Sequence, residues 1–170
     1  AVLGGNATTI ARAVVDAGST DVLVLPCSTA AAADAAAAGL DPVVTSEGLG
    51  VVVAPTHDDL AVYEAVGLLE AALDGEVADH LATVREHVAA TRTHAVPNGD
   101  TRALEADVHA LAGELVEAGP GLVSVLAGAT VGARRAAKQL TALLRAANPD
   151  LETFIVVGGQ SEPALLVSAQ

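Results

Sequence analysis

The sequence predicts an α/β fold: two small, mainly parallel α/β units, each of two or three layers, joined by a helix and finished by an antiparallel C-terminal edge strand. Three observations carry this expectation. The hydrophobic period switches repeatedly between helix-like and strand-like along the chain. Ala, Val, Leu and Gly dominate, with no Met or Trp and a single Tyr and Phe, so the helices are thin and suited to close packing on a sheet. Residues 14–36 (VVDAGSTDVLVLPCSTAAAADAA) also align without a gap with 115–137 (LVEAGPGLVSVLAGATVGARRAA), sharing Ala17/Ala118, Gly18/Gly119, Val22/Val123, Val24/Val125, Leu25/Leu126 and Thr29/Thr130. Two related units, or the general likeness of Ala/Val helix-strand-helix segments, both account for this echo, and the organisation is the same either way.

A strand-like AVL opens the chain at once, and the first residue is Ala rather than Met, so a piece of a longer protein is expected. Asn6, Thr8 and Thr9 supply cap chemistry before IARAVVDAG, whose Ile10, Ala13, Val14 and Ala17 share a face and which Gly18 ends. DVLVLP is a continuous apolar run of the kind buried on both faces of a sheet. CSTAAAADAAAAG resumes helix from Ser28 or Thr29, LDPVVTSEG is a loop or a short extra strand, and LGVVVAP is a second buried strand. THDDLAVYEAVGLLEAAL is a helix with Thr56 as its expected N-cap and Asp58 and Asp59 in the first turn. This βαβαβα order implies a parallel sheet with right-handed crossovers.

From Glu76 the pattern is more polar. EVADHLATVREHVAATRT reads as a connecting helix with Val77, Leu81, Val84 and Val88 as its stripe, which sets the boundaries at 1–75, 76–93 and 94–170. HAVPNGD is a strand end and turn, TRALEADVHALAGELVEAG an amphipathic helix closed by Gly119, LVSVLAGA a strand and TVGARRAAKQLTALLRAA a helix. FIVV and LLVSAQ, joined by Gly-Gly-Gln-Ser-Glu-Pro, close the chain, with the last strand expected to fold back beside FIVV.

Charge and cysteine usage exclude several classes. The net charge is −13, from 21 acidic and 8 basic residues, with no basic cluster beyond Arg134, Arg135 and Lys138. Duplex nucleic acid and anionic membranes are therefore not expected partners. Cys27 stands alone, so no intrachain disulfide forms and a reducing cytoplasm is expected. No stretch has the character of a signal peptide or a spanning helix, so membrane insertion is not expected. Neither a P-loop nor a dinucleotide fingerprint is present, since the glycines of GLGVVV precede the strand rather than follow it.

Open parallel sheets bind ligands at the carboxyl ends of their strands. Cys27 and His57 each follow a predicted strand, so both are expected at that edge, with Asn6 and Thr8 beside them. A Cys at a helix start next to a His is a candidate nucleophile pair. With Asp58 adjacent, Cys27, His57 and Asp58 also form a conceivable Zn²⁺ set. The plainer alternative makes these residues caps and solvated first-turn groups. His80, His87 and His94 recur every seven residues and read as a solvated or interface face. Gly158, Gly159 and Gln160 either bind an anion through backbone N–H groups or turn the chain sharply. Arg134 and Arg135 either receive an acidic partner or form a solvated helix face.

The closing segment resembles the C-terminal end of bacterial DAK phosphatase-domain proteins. These carry a dihydroxyacetone-kinase-like ATP domain followed by α/β domains, and they include the ATP-binding subunit of fatty acid kinase. The family ends in a strand, Gly-Gly-Gln-Pro, an aromatic-Pro turn and a last strand; Gly158, Gly159, Gln160 and Pro163 match, with Val167 and Ser168 in register, while the Pro after Gln and the aromatic are missing. DVLVLPCSTAAAADAAA stands where the family has a strand, Leu-Pro-Asn and an Ala-rich helix, and VVVAPTHDDL where it has a strand, Pro-Thr and a helix. Three features depart from the pattern. GGNATT replaces a longer Gly-Gly-Gln segment, His57, Asp58 and Asp59 replace Pro-Gln-Gly, and the hairpin insertion between Pro97 and Ala103 is almost missing.

The resemblance implies that ATP and Mg²⁺ bind in an N-terminal helical domain outside this sequence, so that this region alone does not act on ATP. It further implies a homodimer that completes a phosphotransfer site and docks an acyl-binding protein. From the residues alone, a small Cys/His-dependent or metal-dependent phosphatase or hydrolase, and a non-catalytic ligand-binding α/β module, remain the alternatives.

Overall fold

Short polar signals between apolar runs decide where most helices begin. The computed structural model describes residues 5–71 and 75–170, and the strand expected at AVL lies outside the described residues. The chain divides after Ala90 into two units.

The first unit contains α1 (Ala7–Asp16), β1 (Asp21–Val24), α2 (Thr29–Ala38), α3 (Pro42–Ser46), β2 (Gly50–Val53), α4 (Asp59–Glu70) and α5 (Val77–Ala90). Asn6, Ser28 and Asp58 cap α1, α2 and α4, their side chains accepting from the amides of Thr9, Ala31 and Ala61. Each satisfies an amide that the first helical turn leaves without a partner. The cap of α4 is thus Asp58, two residues beyond the Thr56 that the sequence favours. LDPVVTSEG is neither loop nor strand: Asp41 caps it, Pro42 pre-sets the helical φ, and α3 follows.

β1 and β2 pair in parallel, with Val22 opposite Val51 and Leu23 opposite Val52. Alternate residues then face opposite layers. Val22 and Val51 pack with Ala11, Val14, Ala38 and Val44 from α1, α2 and α3. Leu23 joins Ala65, Leu69, Leu81, Val84 and Val88 from α4 and α5. The unit is therefore a three-layer α/β/α arrangement. Its strands are half-buried rather than sealed on both faces as their composition predicts. The 76–93 segment, expected as a connector, holds α5, and the apolar stripe of that helix is part of this core, with Val84 fully buried.

The second unit contains β3 (Arg92–Val96), α6 (Thr101–Ala118), β4 (Leu122–Ala127), α7 (Val131–Ala147), β5 (Glu152–Val157) and β6 (Leu165–Ala169). Its sheet order is β3-β6-β4-β5. β4 and β5 are parallel, like β1 and β2, and Gly18 and Gly119 follow α1 and α6 with φ of 65° and 66°, so the sequence echo has a structural counterpart. One layer of helices covers the face carrying Val123, Val125, Leu165 and Val167, with Leu115, Leu140 and Leu144 fully buried beneath it.

The final strand is antiparallel, as expected, but it is not at the edge. β6 lies between β3 and β4 and is antiparallel to both, while β5 takes the edge position. Burial explains the exchange: all of LLVSA in β6 is buried, whereas ETFIVV in β5 is largely exposed. A run without a polar face is best placed between two strands.

Candidate functional site

α1 runs back toward the start of β1 through a short turn, so its N-terminus lies at the carboxyl end of the strands. α2 and α4 begin at that same edge, directly after β1 and β2. The edge therefore collects Asn6, Cys27, Ser28, Thr56, His57 and Asp58, and the helix starts there favour negative charge.

Most of the polar groups at this edge are engaged in holding it. Asn6 Oδ1 accepts from both the amide and the hydroxyl of Thr9, each at 3.1 Å, and Thr8 stands exposed in the same turn. Ser28 Oγ accepts from the Ala31 amide at 3.1 Å. Asp58 Oδ1 accepts from the Ala61 amide at 2.8 Å, and its Oδ2 lies 3.4 Å from Nε2 of His57. Thr56 Oγ1 donates to the Pro26 carbonyl at 2.8 Å, a buried bond that ties the loop after β2 to the loop after β1. The sequence favours Thr56 as a helix cap, whereas its hydroxyl serves this tie between the paired strand-Pro endings at Pro26 and Pro55.

Cys27 is exposed, and its sulfur makes no hydrogen bond to the His57 ring. The nearest ionic partner of His57 is Asp58, and its side chain is 54% exposed. The expected nucleophile pair is therefore not assembled. Among the described residues no group of three or more His, Cys, Asp or Glu side chains is placed to hold a metal, so Cys27, His57 and Asp58 do not fit a Zn²⁺ site. The histidine row also dissolves, because α5 ends at Ala90 and His94 lies in β3. His87 turns instead to α4, with Nε2 3.1 Å from Glu64 Oε2 and both side chains largely buried.

The Gly-Gly-Gln turn is a clasp across the end of β4. The Ala129 amide donates to the Gln160 carbonyl at 3.0 Å, the Gly128 amide to Ala164 at 2.8 Å and the Gly158 amide to Ala127 at 2.8 Å. The Asn98 side-chain amide donates to the Ser161 carbonyl, fixing the turn to the β3–α6 loop as well. A Cβ on Gly158 would collide with Gln160 Oε1, and one on Gly128 would stand 3.1–3.3 Å from three carbonyl oxygens. The approach at Gly128 is to backbone and calls for glycine, whereas at Gly158 it is to the end of the flexible Gln160 side chain. On α7, Arg134 Nη1 donates to the Ala129 carbonyl at 3.1 Å. Arg135 lines a groove of about 180 Å³ between α6 and α7, with Leu104, Glu105 and Val131.

No protein-family model matches the sequence, and no curated protein does. Among solved structures, the chain is similar to a DegV family protein from Corynebacterium glutamicum, with a TM-score of 0.67 and 17% identity over 98% of this chain and 82% of that one. It is also similar to a DegV lipid-binding protein from Thermotoga maritima, with a TM-score of 0.58 and 13% identity over 96% of this chain and 74% of that one. At these identities the likeness is one of fold, and it extends over nearly the whole chain.

Proposed function

We propose that this chain is a lipid-handling α/β module that receives the carboxylate of a fatty acid at the carboxyl edge of β1 and β2 and makes or breaks no bond itself. The observation that carries the reading is the fold shared along nearly the whole chain with structures that include a lipid-binding protein. The edge offers a suitable place. The starts of α1 and α2 adjoin there, the exposed Cys27 and His57 flank them, and Thr56 holds the two strand loops at a fixed separation. Asp58 already supplies the negative charge at the start of α4, so the starts of α1 and α2 are the ones left to favour an anion.

The test is titration of the chain with a fluorescent fatty acid, repeated with oleate as a displacing competitor. Saturable, displaceable binding is expected, together with loss of about tenfold or more in affinity in Cys27→Glu, where an added carboxylate faces the ligand's own. Failure to bind, or binding unaltered by Cys27→Glu, refutes the reading.

A finer reading rests on the sequence order of Leu-Pro, Pro-Thr and the Gly-Gly-Gln ending. It makes the chain the C-terminal portion of a kinase of the dihydroxyacetone-kinase-like kind, acting through dimerisation and docking of an acyl-binding protein. Its test is reconstitution with a separately expressed ATP domain and acyl-binding protein of a fatty acid kinase. Restored ATP-dependent phosphorylation of fatty acid supports it, and none counts against it.

A further inference from the structure

Among the described residues, β5 is an unguarded edge. Sheet edges are usually protected by Lys, Pro, bulges or a covering segment, because their free N–H and C=O groups recruit other strands. Glu152–Val157 contains no Lys or Pro, and Phe154 is 58% exposed, Ile155 42% and Val157 58%. The parallel pairing with β4 settles which groups face outward. The amides of Glu152 and Gly158 donate to the carbonyls of Gly121 and Ala127, so the even-numbered residues bond inward. Thr153, Ile155 and Val157 therefore turn their N–H and C=O to the open side. Among the described residues one of these groups is engaged, the Thr153 carbonyl, which accepts from Arg145 Nη2 at 3.4 Å.

That contact places Arg145 beside the open edge, and Arg145 belongs to a row. Arg134 and Lys138 precede it by eleven and seven residues, which on an α-helix puts both within about 20° of its direction. The segment from Gly128 to Asn148 holds four of the chain's 8 basic residues and none of its 21 acidic ones. A free strand edge and a basic row thus run side by side in an otherwise acidic molecule.

We propose that β5 is a docking edge for an extended acidic segment of another protein, which joins the four-stranded sheet as an additional strand. On the helix side its carboxylates meet Lys138 and Arg145, and on the other face its apolar side chains lie beside Phe154 and Val156. A second copy of this chain fits less well. Antiparallel pairing of two β5 strands would bring one basic row against the other, and the helix-side residues Thr153, Ile155 and Val157 offer no carboxylate to separate them. Because the overall charge is −13, the attraction is local and acts within a Debye length of about 10 Å.

The experiment measures fluorescence anisotropy of a labelled acetyl-Val-Glu-Val-Glu-Val-Glu-Val-amide peptide with the whole chain, against the same peptide with Lys for Glu. The Glu peptide is expected to bind saturably and more weakly as salt rises, and the Lys peptide is expected not to bind. Lys138→Glu/Arg145→Glu should weaken binding by about tenfold. Ile155→Pro should abolish it, since it removes an outward N–H while leaving the β4 ladder its donors. Circular dichroism checks that both variants fold, and the charge reversal, on exposed side chains, carries the test if the proline variant does not. Equal binding of the two peptides, wild-type affinity in the folded variants, or a β5-mediated dimer in sedimentation that Ile155→Pro dissolves overturns the proposal.

Discussion

Replacing Thr56 by Val keeps the shape of the side chain and removes the hydrogen bond to Pro26. The bond is 2.8 Å long, Thr56 is 3% exposed, and Pro26 is buried, so no solvent replaces the lost donor. A buried carbonyl left without its partner costs about 1–3 kcal/mol. With a urea dependence of about 1–3 kcal/mol per molar, a loss of 2 kcal/mol moves the unfolding midpoint down by about 1 M. The chain reports this conveniently, because its one Tyr, Tyr63, lies in α4 of the first unit and there is no Trp. Tyrosine fluorescence during urea unfolding should show the shift in Thr56→Val and most of the stability retained in Thr56→Ser. A Thr56→Val midpoint equal to wild type, or a Ser variant as weak as the Val variant, would refute the assignment of this hydroxyl as a loop tie.

Glu64→Leu should destabilise the first unit by about 1–3 kcal/mol, because it leaves the His87 ring largely buried without its carboxylate. The same fluorescence readout, run as a double-mutant cycle with His87→Leu, should return a favourable coupling energy between the two residues. Gly128→Ala forces a methyl group against the carbonyl oxygens of Gln160, Pro163 and Ala164 and should cost about 1–3 kcal/mol. Far-UV circular dichroism during thermal unfolding checks it, and an unchanged second-unit transition would mean that the clasp yields freely.

Local chemistry was legible in the sequence, and long-range pairing was not. Asn6, Ser28 and Gly119 announce helix ends because a cap acts within three residues of itself. Thr56 and Asp58 are both competent caps. The choice between them is made by Pro26, 30 residues away, which claims the threonine hydroxyl. The stripe of α5 was equally visible, but the surface that it covers, on α4 and β1, is fixed only in three dimensions. β6 shows the same limit. Its apolar run marks a buried strand, yet its insertion between β3 and β4 is a pairing that no local pattern encodes. At the candidate site, Cys27 and His57 follow β1 and β2, but a shared edge does not bring two side chains into contact. The Gly-Gly-Gln turn, open to two interpretations from composition, became a clasp through Gly128 and Asn98, both distant in sequence.

The central position of β6 also orders events in time. β3 touches the sheet through β6, so until residues 165–169 have left the ribosome, β3 has no strand to pair with and β4 has one side open. Closing the sheet brings β3 and β6 together across the longest sequence separation of any strand pair in the unit, the kind of contact that slows folding. A competing strand that reached β4 before β6 would meet the N–H and C=O groups that β6 otherwise pairs.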